Sequence, residues 1–320
     1  MCEISDKIRK SRKDIKETSL DSYTNTLRKI KKDLDDKSDY DCMDIFENFS
    51  KVKDYLEKYK ITTRKNKITA IIVWLKAQDE EDKNLIQKYL DLLDELNGTY
   101  NEYLNSNEKS DTQKKNWIEY NELVKFADKL AKKVKIEGIR TKEKIDRHEF
   151  KLLQDLVILR TYLEYPLRND FADMKVVSKS EVANLPDNKN YLVLDGKSKM
   201  EFHINEYKNR ERLGRRIYKI PKSLNTLYKI WLKHNKSGWF LVQVSNRETP
   251  LSPNNLTKYM NSMFKKEFGK NISTSMIRHI TISELNKDKP TLKEIQEENK
   301  VVEDKFLHSK KMNDMYRKVD

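Results

Sequence analysis

The residue types best suited to chemistry lie near the C-terminal end of this chain. His308, Ser309 and Tyr316 stand close together, and His308 follows the pair Arg278-His279 by 29 positions. A tyrosine hydroxyl can attack a phosphodiester when cationic and hydrogen-bonding groups surround the phosphate oxygens. This combination therefore indicates a phosphoryl transfer in which a tyrosine becomes covalently joined to the phosphate.

The charge of the chain is compatible with a partner that carries phosphates. Lysine and arginine total 66 against 52 aspartates and glutamates, which gives a formal net charge of +14 and a pI of about 9.3. A basic surface binds nucleic-acid backbones with an affinity that falls as salt rises. A protein whose composition simply favours lysine and asparagine would have the same charge, so composition alone leaves both interpretations open.

Other classes of site and location are disfavoured. Cys2 and Cys42 belong to no metal-like cluster, and Gly-rich phosphate loops are absent; we therefore expect no metal and no cofactor. The longest apolar run, from Ile68 to Leu75, is too short to span a bilayer, so no membrane partner is expected. The charged N-terminus lacks an apolar signal core, which favours an intracellular protein that is not secreted.

Apolar periodicity predicts a mainly helical chain with two domains. Residues 1–18 are highly charged and are expected to form a mobile arm. Apolar residues then recur at helical spacing, for example from Tyr23 to Leu34, which predicts a helical bundle over residues 19–104. Residues 105–112 are polar and non-periodic, as in a linker. The second domain is then expected to occupy residues 113–320.

Strand signals appear only within this second domain. Tyr191–Leu194, Met200–Tyr207 and Arg216–Ile220 have the composition of strands, and a turn at Lys208–Gly214 separates the last two. Helices resume afterwards, for example where Ser252-Pro253 provides an N-cap followed by proline at the first helical position. The predicted fold is therefore mainly α with a small antiparallel sheet.

Taken in order, the motifs resemble those of the tyrosine recombinase (phage-integrase-like) family over nearly the whole chain. Leu167-Arg168-Asn169-Asp170 resembles the first arginine box of that family. Ser275-Met276-Ile277-Arg278-His279 resembles the second box, which is usually His-x-x-Arg-His. Lys208, in a turn between strands, is similar to the hairpin lysine. Leu307-His308-Ser309 and Tyr316-Arg317-Lys318-Val319 are similar to the Gly-His-Ser and Tyr-x-x-Val endings.

The resemblance implies both a fold and an activity. The fold would be an N-terminal helical core-binding (SAM-like) domain followed by an α+β catalytic domain. The activity would be that of a site-specific DNA recombinase or integrase from a virus or mobile element. Such an enzyme acts on double-stranded DNA, as a homotetramer on paired sites, without ATP, metal or cofactor.

The resemblance also implies a role for each candidate residue. Arg168 and Arg278 would hold the non-bridging phosphate oxygens in guanidinium forks. His308 would donate a further hydrogen bond to them, and Lys208 would protonate the leaving 5′-oxygen. Tyr316 would form a 3′-phosphotyrosyl bond, which keeps the energy of the phosphodiester for religation.

Two positions depart from the family pattern. Ser275 belongs to the expected catalytic set, yet it stands where histidine or lysine is usual; it can relay a proton or bond to the phosphate, and the general base is left open. Phe171 stands three residues after Arg168, where a carboxylate is usual, and Asp170 comes one residue earlier. His279 is expected to be a structural histidine within the core.

DNA is expected to be clamped by the two domains. Arg64, Lys65 and Lys67 open a predicted helix and are candidates for phosphate or groove contacts. Arg210 and Arg212 lie in the basic turn of the second domain and are candidates of the same kind. The alternative for each basic run is a solvated face.

Two further functions stay open at this point. A type IB topoisomerase shares the arginine, lysine, histidine and tyrosine chemistry, although the helical N-terminal domain favours a recombinase. A catalytically inactive DNA-binding protein on the same fold is permitted by Ser275. The joint presence of Tyr316, Arg168, Arg278 and His308 argues against it, because an inactive binder does not need all four.

Overall fold

The computed structural model describes residues 3–34, 44–196 and 199–297. By its contacts the chain divides into two compact units. Residues 290–297 group with the N-terminal unit, which otherwise ends at Glu108, and the second unit is Lys109–Lys289. The candidate residues His308, Ser309 and Tyr316 lie outside the described residues.

The first unit is built from helices. Its elements are α1 (Glu3–Ser11), α2 (Glu17–Leu34), a 3-10 turn (Asp44–Glu47), α3 (Phe49–Glu57), α4 (Ile61–Leu75) and α5 (Lys83–Asn105). The run from Ile68 to Leu75, apolar except for Thr69, becomes the centre of the unit because α4 packs against all four other helices. A helix that is apolar on most sides is stable only when other elements surround it.

The N-terminus differs from the mobile arm that the sequence suggested. Residues 3–11 form α1, and Ile4 and Ile8 are fully buried in the core of the first unit. The two isoleucines are four positions apart and so share one face of the helix. This short apolar stripe is easily overlooked among many charged residues, and it is the physical reason that the segment packs.

The predicted linker is partly helical. Helix α5 extends to Asn105, and α6 (Asp111–Asn116) begins after a capping box formed by Ser110 and Gln113. Only residues 106–110 lie between these two helices.

The second unit combines helices with two small sheets. Its helices are α6, α7 (Tyr120–Ile136), α8 (Arg147–Glu164), α9 (Arg210–Leu213), α10 (Lys222–His234), α11 (Pro253–Phe268) and α12 (Thr274–Leu285). Its strands are β1 (Lys175–Ser178), β2 (Tyr191–Asp195), β3 (Lys199–Ile204), β4 (Arg216–Lys219), β5 (Val242–Gln243) and β6 (Asn246–Pro250). Helix α8 is buried along most of its length and forms the centre of the core.

The main sheet is mixed, which corrects the expectation of an antiparallel one. Its order is β1-β2-β3-β4, with β1 parallel to β2 and the other pairs antiparallel. The three expected strands correspond to β2, β3 and β4. Strand β1 was missed because Lys175–Ser178 is short and has only two apolar residues. The chain is thus mainly helical with a small mixed sheet of four strands and a separate hairpin of two.

No helix within the described ranges is both long enough and apolar enough to cross a membrane.

Candidate functional site

Arg168 lies in the loop that follows α8. Pro166 stands two residues before it and prevents the helix from continuing. The loop is held in place by its backbone: the Tyr162 hydroxyl donates a hydrogen bond to the Arg168 carbonyl oxygen over 2.7 Å, and the Arg168 N–H donates to Asp170 Oδ2 over 3.0 Å. The Arg168 side chain is exposed. These hydrogen bonds therefore hold the backbone of Arg168 in place, while its guanidinium is accessible to a ligand.

Arg278 lies on α12, which begins at the N-cap Ser273. Ile277 and Ile280 are buried and dock the helix on the core. Arg278 is half-buried at the edge of this apolar face, and its Nε atom is buried with no hydrogen-bond partner among the described residues. Ser275 is exposed. His279 is exposed as well, so the expectation of a histidine bonded within the core is wrong.

The structure brings the two arginines together from distant parts of the sequence. Burial lowers the pKa of Arg278 below its usual value, and the positive charge of Arg168 lowers it further. Asp170 is close enough for its charge to oppose this effect. Burial nevertheless raises the pKa of Asp170 above its ordinary value, despite the nearby charges of Arg168 and Arg278.

Neither guanidinium forms an ion pair with a described residue, although the charge of Asp170 is near. Across the described ranges, no ion pair or hydrogen bond of the Arg168 or Arg278 side chain is present, whereas other half-buried cations such as Arg160 are paired. Two neighbouring guanidinium groups that form no ion pair with a described residue favour an anion with oxygens for both forks. A phosphate group has this geometry.

Lys208 lies in the exposed connection between β3 and β4. Its side chain makes no hydrogen bond or ion pair with another described residue. The connection folds into α9 and closes at Gly214, whose φ of +68° places it in the left-handed region and whose carbonyl accepts a hydrogen bond from the Tyr207 hydroxyl over 2.6 Å. Lys208 is thus exposed on a turn that hydrogen bonds hold in one conformation.

The two arginines of this turn differ in their surroundings. Arg210 pairs with Asp187 over 3.0 Å, and both side chains are at least a third exposed. Arg212 is exposed and makes no ion pair with a described residue. Arg212 is therefore the freer candidate for a phosphate contact.

The three DNA-contact candidates of the first unit are less free than the sequence suggested. The Arg64 guanidinium donates hydrogen bonds to the carbonyl oxygens of Tyr59 and Glu57 and so caps the C-terminal end of α3. The Lys65 ammonium lies 4.3 Å from the ring centre of Tyr100. Lys67 is the most enclosed of the three.

Lys67 is 6 % exposed and lies against two tyrosines. Its ammonium is 4.5 Å from the ring centre of Tyr59 and 3.3 Å from the hydroxyl of Tyr55. Burial lowers the pKa of Lys67 below its usual range, although the charge of Asp33 opposes this. A cation–π contact of this kind stabilises the bundle. The buried ammonium group is then poorly accessible to a DNA phosphate.

Sequence reasoning missed a polar groove on the first unit. The groove has a volume of about 850 Å³ and lies between α2 and α4. Hydroxyl and amide groups dominate its lining, among them Thr18, Ser22, Asn25, Thr26, Thr63 and Asn66. The signal was present in the sequence, because the four α2 residues recur at helical spacing on the face opposite the apolar stripe.

In the described part of the chain, no cluster of three or more histidine, cysteine, aspartate or glutamate side chains could hold a metal ion. The sequence of this chain matches no protein-family model and no curated protein.

Proposed function

We propose that this chain is a tyrosine recombinase, a site-specific recombinase or integrase of a virus or mobile element. It would cleave and rejoin double-stranded DNA through a 3′-phosphotyrosyl intermediate. Its first unit would be the helical core-binding domain and its second the α+β catalytic domain. One observation carries the proposal: Arg168 and Arg278, far apart in the sequence, are near enough for the charge of Arg168 to lower the pKa of Arg278, and neither forms an ion pair with a described residue.

The proposed reaction begins with a scissile phosphate bound by the two arginines. Because the charge of Arg168 lowers the pKa of Arg278, an anion bound between the two cations relieves their repulsion. The Tyr316 hydroxyl gives up its proton to solvent, directly or through Ser275, as its oxygen bonds to the phosphorus and the bond to the 5′-oxygen breaks. Negative charge grows on the non-bridging oxygens, and preorganised forks stabilise it. His308 donates to the same oxygens. Lys208 gives a proton to the departing 5′-oxygen, and reversal of these steps rejoins the strand.

DNA would be held mainly through its backbone. The groove between α2 and α4 offers hydroxyl and amide groups that can bond to phosphate and sugar oxygens. Arg212 in the second unit would add a charged contact. We further propose that four copies assemble on paired DNA sites, since exchange of strands between two duplexes needs two cleavages on each.

A covalent trap tests this function. Wild type, Tyr316→Phe and Arg278→Lys would be incubated with DNA fragments that flank this gene in its source genome, and then quenched in detergent. We expect protein-linked DNA at discrete positions with wild type and none with Tyr316→Phe. For Arg278→Lys we expect about a 100-fold loss, as for removal of one donor to a developing oxyanion.

Other outcomes would contradict the proposal in distinct ways. Adducts spread over many positions would indicate a topoisomerase of the type IB class. Salt-sensitive binding without any adduct would indicate an inactive DNA-binding protein. An adduct that persists in Tyr316→Phe would assign the nucleophile to another residue.

A further inference from the structure

Two asparagines connect the loop that carries Arg168 to the other segments of the proposed site. We propose that Asn169 and Asn190 are positioning residues. Asn169 would fix the position of Arg168 relative to α12, the helix of Ser275 and Arg278. Asn190 would fix the position of the same loop relative to the turn that carries Lys208. The inference rests on the proposed function for its activity measurement only.

The Asn169 side chain joins its own loop to two helices, α11 and α12. Its Oδ1 accepts a hydrogen bond from the Thr274 hydroxyl over 2.8 Å. Its Nδ2 donates to the carbonyl oxygen of Pro253 and to the hydroxyl of Thr257, each over 3.0 Å. Thr274 is 4 % exposed and directly precedes Ser275. The residue next to Arg168 is therefore bonded to the first turn of the helix that carries the second arginine.

Asn190 uses all four hydrogen-bonding positions of its amide. Its Nδ2 donates to the carbonyl oxygens of Asp170 and Glu206, each over 3.0 Å. Its Oδ1 accepts from the N–H groups of Asn205 and Glu206, over 2.9 and 2.8 Å. Lys208 follows Glu206 by two residues. The same loop is thus joined to the start of the lysine turn.

Such connections are needed because the arginines oppose their own placement. The charge of Arg168 lowers the pKa of Arg278, which means that the two cations repel each other across the site. The loop between α8 and β1 is not part of a sheet, so no ladder of backbone hydrogen bonds between strands opposes this repulsion. Misplacement of a reacting group by about 1 Å can cost about 100-fold in rate.

The activity test compares two alanine variants with two matched controls. Asn169→Ala and Asn190→Ala remove the bonds described above, whereas Asn254→Ala and Asn188→Ala change exposed asparagines that make no side-chain hydrogen bond to a described residue. The readouts are the single-turnover rate of adduct formation and the Kd, both for the DNA fragment that traps wild type. We expect the first two variants to react about 10- to 100-fold more slowly with nearly unchanged affinity.

The controls should stay within about 2-fold of wild type. A fall of rate and affinity together in Asn169→Ala or Asn190→Ala would indicate general damage to the fold and would overturn the inference. An unchanged rate in both variants would overturn it as well.

Thr274 provides a rescue experiment. Thr274→Ser keeps the hydroxyl that bonds to Asn169, and Thr274→Val removes it with little change of volume. We expect Ser to retain the wild-type rate and Val to slow the reaction, by no more than Asn169→Ala does, since Val removes only one of the three bonds of Asn169. The double variant Asn169→Ala with Thr274→Val should lose no more than Asn169→Ala alone, since that variant already lacks the bond that Thr274→Val removes. Losses that multiply would contradict the proposed link.

Hydrogen–deuterium exchange decides the positioning role without any DNA. Asn169→Ala should speed exchange in residues 167–172 and in the first turn of α12, while Asn254→Ala should not. If wild type forms no adduct with any DNA, the proposed function fails, and this measurement still decides the inference. Unchanged exchange in both segments would overturn it.

Discussion

Arg278 is a costly residue for the fold that contains it. Arg278 is half-buried, lies beside a second cation and has a buried Nε without a partner among the described residues. Neighbouring like charges and unpaired buried donors both reduce stability. Unpaired charges and donors of this kind are common at functional sites, where a bound ligand supplies the missing interaction.

The first prediction follows from this cost. Arg278→Met keeps an unbranched apolar side chain and removes the guanidinium with its charge and with an Nε that has no partner among the described residues, so we expect a higher thermal midpoint, by about 2 °C. The control is Arg160→Met, which breaks the ion pair of Arg160 with Asp128 and should give no such gain. Scanning calorimetry measures both variants. A lower midpoint for Arg278→Met than for wild type would show that the arginine stabilises the fold.

His203 on β3 gives the second unit a pH dependence. The ring is 6 % exposed, with Glu201 Oε2 at 3.2 Å from Nε2 and the Arg215 guanidinium facing Nδ1. Burial lowers the pKa of His203, and the charges of Arg215 and Lys179 lower it further, while Glu201 opposes them. Burial also lowers the pKa of His234. Both rings therefore bind a proton less readily in the folded state than in the unfolded chain.

The second prediction is a loss of stability in mild acid. Above the unfolded pKa of about 6.5 neither state binds a proton, but below it the unfolded chain binds protons first, so stability falls as pH falls. Urea midpoints should decline from about pH 7.5 to pH 5.5, and His203→Gln should reduce that decline. His148→Gln, at a side chain that is 74 % exposed, is the control. A full decline in His203→Gln would rule out the ring as a cause.

At the scale of elements, the Arg168 loop is anchored by Phe171. This side chain is fully buried, 5.3 Å from the ring centre of Tyr162 on α8 and 5.0 Å from that of Phe202 on β3. In the recombinase family that the motifs resemble, a carboxylate is usual at this position. Here an aromatic side chain attaches the loop to both the helix and the sheet.

The third prediction concerns this anchor. Phe171→Ala should lower the free energy of unfolding by about 3–5 kcal/mol, because it leaves a cavity among aromatic rings. Phe171→Leu should cost less, and Leu213→Ala, at a 40 % exposed side chain, should stay within about 0.5 kcal/mol of wild type. Urea unfolding of the full chain measures all three. A small effect of Phe171→Ala would mean that the loop is held by its hydrogen bonds alone.

Elements with a strong local pattern could be predicted from the sequence. Alternation and turn residues identified β2, β3 and β4, and helical spacing identified α2, α4 and α5. The parallel strand β1 could not be predicted, since its pairing with β2 depends on tertiary packing rather than on local composition. The apolar residues of α1 were hidden by surrounding charge.

The candidate site was predictable only in part. The resemblance named Arg168 and Arg278, and the structure places them together. No periodicity could indicate Asn169 or Asn190, because their bonds join segments that are distant in sequence. For Lys67 the expectation of a free phosphate contact came from its position at a helix start, and burial against tyrosines changes that expectation.

For the whole molecule, the proposed DNA binding should weaken as salt rises, because the net charge is +14. The fourth prediction separates the basic residues that cause this. Arg212→Ala should reduce the slope of log affinity against log salt by about 0.9, the value for one lost phosphate contact. Lys67→Met should leave the slope unchanged, since its ammonium is buried. An equal change of the salt slope in Arg212→Ala and Lys67→Met would contradict the assignment of Arg212 as an exposed phosphate contact and of Lys67 as a buried cation.

The most direct test of the account is the chemical identity of the protein–DNA bond. Trapped wild-type protein would be digested with protease and nuclease, and the nucleotide-linked peptide would be sequenced by mass spectrometry. The account predicts a single linked residue, Tyr316, among the 16 tyrosines of the chain, joined to a 3′-phosphate opposite a free 5′-hydroxyl. Linkage through another residue, or to a 5′-phosphate, would contradict it.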